Sequence, residues 1–575
     1  MPASPARSCT RITVAGFGLA AALAVSTIGP ARAQVGPPVR LEPLGSTPAA
    51  PTVPPAERSP PPSDITADPL PPPGADGLSA LGPNDRPLPA ELWQGTTRAT
   101  AEALIPRIKP STSAVLQELA YRLLASPATA PEADQPDGGA LLAYRAERLT
   151  ALGHPDAALA LLQSAPSPSE DASRVITDLA FLSGDSRAAC ATTHGRDPAW
   201  QNPYWDQATA TCQALDGQAD EAQLSLDILR EAKVKDDGFA ALVLKAVGID
   251  TRLPDSLPAP QTLSLVLWQK TGQPLPKKAL DGAPPAIERA VALGSGFPPD
   301  QRLAAAEKAA LYGAIAPERL AEAYLATDIS DEDRQSPLNR AKAAGGARGR
   351  AILFQAAHDA GQLTAKAGFL LSFLGDGRAE LFPALVRAAG PMLVEVPASE
   401  DLKFAAPDFA RALYALDQQR QAGAWFEMLG SDAQVGLVPL AQIAAGDAAP
   451  PWPTESLADL GGGKQDAGAT RRATAAALLL TAEGVALPDQ MLLSLGDASA
   501  AGLGAPAAGP AAMLASNAAT GRLGGTLLAL FAALGDQSLG AQPVLAAQAV
   551  AALRRVGLPD EARHLAIDIA LAEGL

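Results

Sequence analysis

Leucine and alanine recur at three- and four-residue spacing through most of the chain after residue 90, interrupted by glycine, proline or aspartate. Residues 113–124 give the clearest single stretch, with Leu116, Leu119, Leu123 and Leu124 on one face. Helices then come in pairs. Residues 141–152 and 155–163 form the first pair, with Leu142, Leu149, Leu152, Leu159 and Leu162 inward. Residues 172–182 and 186–193 form the second, 205–215 and 219–232 the third, and a further helix spans 239–247. Beyond that point the spacing predicts helices at 261–270, 284–293, 301–313 and 317–325, and two or three within 339–374. The hairpin pattern returns at 408–428, with Asp417 in the turn, and at 544–574. Period-two alternation of β-branched and aromatic residues is almost absent, so the expected class is all-α. The helical part is too long for one small core and should stack as a curved, irregular α-solenoid.

The turns inside the pairs share a pattern: glycine, then alanine five residues later. It occurs at Gly153 and Ala158, Gly184 and Ala189, Gly217 and Ala222, and Gly557 and Ala562. Glycine accepts the left-handed conformation that ends a helix, and alanine lets the next helix pack closely. Asp156, Asp185 and Asp220 stand near the starts of second helices, where a carboxylate meets the positive end of the dipole. The first three glycines are 31 and 33 residues apart, close to the ~34-residue period of tetratricopeptide arrays. These turns, with Ala146 and Ala210 seven residues before two of the glycines, resemble tetratricopeptide-type repeats. Thr177 and Val550 stand at that position in the other two. The whole chain is also similar to exported, Ala-rich proteins of alphaproteobacteria, which implies no activity. The repeat resemblance implies a scaffold for protein partners, bound on the concave face of residues 141–247.

The remaining segments divide the chain. Arg7 and Arg11, an uncharged run from Ile12 to Ile28, and Ala31-Arg32-Ala33 make residues 1–33 an expected cleaved signal peptide. Residues 34–90 are rich in proline and too poor in large apolar residues to offset chain entropy, so a disordered linker is expected. Residues 91–247 are the repeat-like region and 248–445 a degenerate solenoid. Residues 446–470, with Pro450-Pro451 and Gly461-Gly462-Gly463, form a loop before the helical region 471–575. The expected location is the periplasm or outside the cell.

Charge narrows the partners. The net charge is −16, and would be −19 without Arg7, Arg11 and Arg32. That argues against nucleic acid and against direct lipid binding by the mature chain. Beyond residue 33 only Cys190 and Cys212 remain, on consecutive helices, and an exported protein permits a disulfide between them. Trp200, Tyr204 and Trp205 cluster at the entry to the third pair, as partner-binding aromatics or as a staple for the turn. His154, His194, His358 and His564 are scattered without metal-ligand spacing, and His154 is expected to be exposed in its turn. Gly461-Gly462-Gly463-Lys464 lacks the spacing of a phosphate loop, and Glu455-Ser456 lacks the context of a lytic transglycosylase. No catalytic, cofactor-binding or metal residue is assigned. The expectation is a protein-binding scaffold and not an enzyme. The alternatives are an enzyme acting on peptidoglycan or polysaccharide, or its regulator, and a scaffold tethered by an uncleaved signal anchor.

Overall fold

The computed structural model describes residues 77–82, 85–132, 140–164, 168–234, 236–276, 278–376, 380–446, 467–494, 508–535, 539 and 542–575. The signal peptide, nearly all of the proline-rich segment and most of the 446–470 loop lie outside them. All described residues belong to one unit, Pro71–Leu575.

The hairpins follow the hydrophobic spacing. After α1 (Arg98–Leu104) and α2 (Ala114–Ala125), α3 (Ala140–Ala151) pairs with α4 (Pro155–Gln163). Next, α5 (Glu170–Leu182) pairs with α6 (Ser186–His194), and α7 (Tyr204–Leu215) with α8 (Ala219–Glu231). The middle runs through α9 (Asp237–Ala246), α10 (Gln261–Thr271), α11 (Pro285–Leu293), α12 (Pro299–Leu311) and α13 (Pro317–Leu325). It continues through α14 (Asp331–Gln335), α15 (Pro337–Ala344), α16 (Gly346–Asp359), α17 (Leu363–Asp376) and α18 (Phe382–Glu395). The last part comprises α19 (Ala406–Ala415), α20 (Gln419–Glu427), α21 (Ser431–Ala445), α22 (Ala467–Ala482) and α23 (Asp489–Ser494). It closes with α24 (Ala508–Ala519), α25 (Leu523–Leu534), α26 (Pro543–Arg555) and α27 (Pro559–Ala572). Among the described residues there is no strand, only an isolated bridge between Thr97 and Glu132. Nor is any helix among them long and apolar enough to cross a membrane.

The turn chemistry is uniform. Gly153, Gly184, Gly217 and Gly557 have φ between 77° and 94°. In each turn the following N–H reaches a carbonyl five residues back, as in His154 to Leu149 at 2.9 Å and Asp185 to Ala180 at 2.8 Å. That bond closes a Schellman motif. Ala158, Ala189, Ala222 and Ala562 are completely buried, so no larger side chain fits where each second helix leans on the first. Asp417 takes the glycine position with φ 56°, and Gln418 makes the same bond to Leu413. The motif also recurs at Gly248, Gly313, Gly484 and Gly521, which have no alanine five residues on. The turn therefore extends well beyond the Gly-to-Ala signature.

The curvature carries the stack round until its ends touch. Near one end, the Gly524 N–H donates to the Leu92 carbonyl at 2.9 Å, and a Cβ on Gly524 would stand 2.6 Å from that oxygen. Arg122 of α2 pairs with Glu561 of α27 at 2.6 Å, and Ser113, which caps α2, donates through Oγ to Asp568 Oδ2 at 2.5 Å. The turn at Gly153 also meets a distant one, since a Cβ there would lie 2.2 Å from the Ala314 Cβ. One surface expectation changes, and one apolar pair stands out. His154 is half-buried, its ring 4.9 Å from that of Tyr121, because the packed turns cover it. Leu224 and Ile228 of α8 are exposed, because only the opposite face, with Ala222, Leu226 and Leu229, packs inward.

Candidate functional site

A cavity of about 1380 Å³ opens where helix ends from distant parts of the chain converge. The segment before α2 contributes Lys109 to Ala114, α17 and α18 contribute Leu374, Phe382 and Arg387, and α19 contributes Arg411. Arg471 and Arg472 come from α22, Phe531 and Leu534 from α25, and Asp568 and Leu571 from α27. No residue of 141–247 lines it. The sequence placed the binding face on the best repeats, whereas the cavity sits where the stack closes.

Buried polar side chains hold the wall. Arg387 donates through Nε to the Pro383 carbonyl at 3.0 Å and through Nη2 to the Ala310 and Leu311 carbonyls at 3.3 Å. Its Nη1 reaches Gln117 Oε1 at 3.3 Å, and Gln117 Nε2 donates to the Ser111 and Leu311 carbonyls at 2.7 and 2.8 Å. One guanidinium thus ties the C-terminus of α12 to α2 and α18, a favourable place for a cation near a helix C-terminus. Burial pulls its pKa below the usual arginine value, opposed by Asp568. Burial raises the pKa of Asp568, and the Ser113 hydrogen bond, Arg387 and His564 resist that shift. Ser113 therefore donates to a carboxylate and not to an imidazole, so it is not activated as in a Ser–His pair. His564 instead faces Asp417 at 3.4 Å.

Among the described residues, some of the remaining wall charges are paired and three are not, the exposed Glu380 among the unpaired. Arg471 grips Glu573 through two bonds of 2.9 and 3.0 Å, and Arg411 lies 4.0 Å from Asp408. Lys109, exposed, and Arg472, half-buried, have no ion-pair partner among the described residues. Leu371, Leu374, Val386, Phe531 and Leu534 make the apolar part. Nothing in the local sequence marks these residues as one site, because they are separated by up to hundreds of positions.

The residues singled out from sequence lie elsewhere. Cys190 of α6 and Cys212 of α7 are joined by a disulfide, with Cα atoms 5.6 Å apart. Trp205 is completely buried and Tyr204 nearly so, which takes both rings out of a partner-binding role and makes them the staple of the turn. Trp205 Nε1 donates to Glu170 at 3.1 Å, and its ring stacks on the half-buried Trp200 at 5.0 Å. Tyr204 donates to Asp178 Oδ1 at 2.9 Å, and burial raises the Asp178 pKa to about 6. The four turn glycines and their alanines are structural parts of the hairpins, and none lines the cavity. Among the described residues no three His, Cys, Asp or Glu side chains are grouped to hold a metal ion. Gly461 to Lys464 and Glu455-Ser456 lie outside the described residues.

No protein-family model, curated protein or solved structure matches the chain.

Proposed function

We propose that this is an exported, tetratricopeptide-like helical scaffold that binds a protein partner, with the cavity at the closure of the stack as its binding site. The observation that carries the reading is the cavity itself, about 1380 Å³ with both apolar and cationic walls. Small-molecule sites usually run ~300–1,000 Å³, so the space suits a stretch of polypeptide better than one metabolite. Export rests on Arg7, Arg11, the apolar run 12–28 and Ala31-Arg32-Ala33. An exported scaffold of this kind would serve envelope assembly. Photo-crosslinking tests the site: a crosslinker at Leu374 in the cavity should capture a discrete partner in the native envelope, whereas one at exposed Leu224 should not. Equal capture at both positions would remove the cavity from the account. N-terminal sequencing of the purified protein should start at Gln34, and a start at Met1 would favour a tethered scaffold.

A polysaccharide-acting enzyme is the second reading, and Asp568 favours it, since a cavity carboxyl with a raised pKa has the character of a general acid. Release of soluble fragments from purified peptidoglycan, lost in Asp568→Asn, would establish it; no release by the wild type would end it.

A further inference from the structure

We infer that the cavity accepts an extended peptide segment carrying acidic and apolar residues, with Lys109 and Arg472 as the groups that select for acid. The inference rests on the protein-binding reading above and names the chemistry of its partner.

The chain carries 61 acidic against 45 basic side chains, yet at this wall the unpaired charges are mainly positive. Arg387 is engaged by main-chain carbonyls, Arg471 by Glu573, and Asp568 by Ser113. That leaves Lys109 and Arg472 without a carboxylate, against exposed Glu380, the one wall carboxylate without a cationic or hydroxyl partner among the described residues. In an acidic molecule this local reversal attracts an anionic group and repels a basic one.

The form of the ligand follows from the rest of the wall. Leu374, Phe382, Phe531 and Leu534 offer apolar contact over part of it. Helices α25 and α27 end at the wall, at Leu534-Gly535 and Ala572-Glu573-Gly574. The α27 turn already caps its Ala570 and Leu571 carbonyls through the Leu575 and Gly574 N–H groups, and the α25 turn caps Phe531 through Gly535, so only the last carbonyls of each helix are left for outside donors. A polypeptide brings an N–H at nearly every residue to meet them, whereas an acyl chain brings none. The same mixture of acceptors, apolar surface and two free cations therefore fits an acidic peptide better than a fatty acid.

Fluorescence anisotropy with the full-length protein tests this. The probes are a short fluorescein-labelled peptide of repeated Leu-Gly-Asp and its Leu-Gly-Lys counterpart, with oleate as competitor. The acidic peptide should bind, more weakly as salt rises, and the basic one should not. K109E/R472E should weaken the acidic peptide by about tenfold or more, and R472Q, with no added charge, should give a smaller loss in the same direction. Leu374→Trp should block binding by filling the cavity. Equal binding of both peptides, blocked by Leu374→Trp but indifferent to Lys109 and Arg472, overturns the acidic selection and leaves the protein-binding reading standing. Binding of oleate without either peptide, or peptide binding unaffected by Leu374→Trp, overturns both. Thermal melts of each variant separate loss of binding from loss of fold.

Discussion

Glu288 is the residue whose chemistry most directly reports its surroundings. It lies on α11, 2% exposed, 3.4 Å from Lys308 and with Oε2 unpartnered. Burial raises its pKa from 4.5 to about 7, with Asp281 adding to the rise and Lys308 opposing it. The folded state therefore holds this proton more tightly than the unfolded chain does. The stability it contributes is fully present below pH 4.5 and is lost as the pH rises through about 7. Glu288→Gln removes the ionisation, so the variant should match the wild type near pH 4 and melt higher at pH 8. The gap should approach, at most, about 3 kcal/mol. A melting-temperature difference that does not change with pH would contradict the burial of this carboxyl. His154 works the other way: burial lowers its pKa to about 4, so its contribution is lost as the pH falls from 6.5 toward 4. Neither group was legible as unusual in the sequence, because burial comes from packed turns and not from neighbours in the chain.

At the scale of the element, the hairpin is what the sequence states most clearly. Glycine, alanine and the three- and four-residue leucine spacing are local signals, and the turns they mark have the expected left-handed glycines and fully buried alanines. The same turn at Gly248, Gly313, Gly484 and Gly521 was less legible because the alanine is missing there. What a turn touches was not legible at all. Gly153 and Gly217 look alike in sequence, but a Cβ on Gly153 would collide with Ala314, whereas one on Gly217 meets nothing within 4 Å. Both alanine substitutions incur ~1–2 kcal/mol for the left-handed backbone. Gly153→Ala should cost clearly more than Gly217→Ala in urea denaturation, and equal losses would mean that the two distant turns do not meet. The disulfide between α6 and α7 closes a loop of 22 residues. Removing it with Cys190→Ser and Cys212→Ser together should lower stability by about 3 kcal/mol in the chain-entropy account, read by the same denaturation.

For the whole molecule, the all-α class and the stacked hairpins follow from patterns that repeat within a few tens of residues. The cavity does not, because it is made by closure: Lys109, Arg387, Arg472 and Asp568 meet only when the ends of the stack do. The sequence pointed to 141–247 because repeats are most regular there, and no residue of that stretch lines the cavity. The aromatic cluster shows the same logic, with Tyr204 and Trp205 consumed by the turn they join. The two ends of the helical stack thus close on one another. The pair Arg122–Glu561, 2.6 Å apart and separated by 439 positions, tests it through a double-mutant cycle. Arg122→Ala, Glu561→Ala and the double variant, measured by urea denaturation, should give a coupling of about 1–3 kcal/mol. Strictly additive losses would mean that these side chains do not meet and that the ends of the stack remain apart.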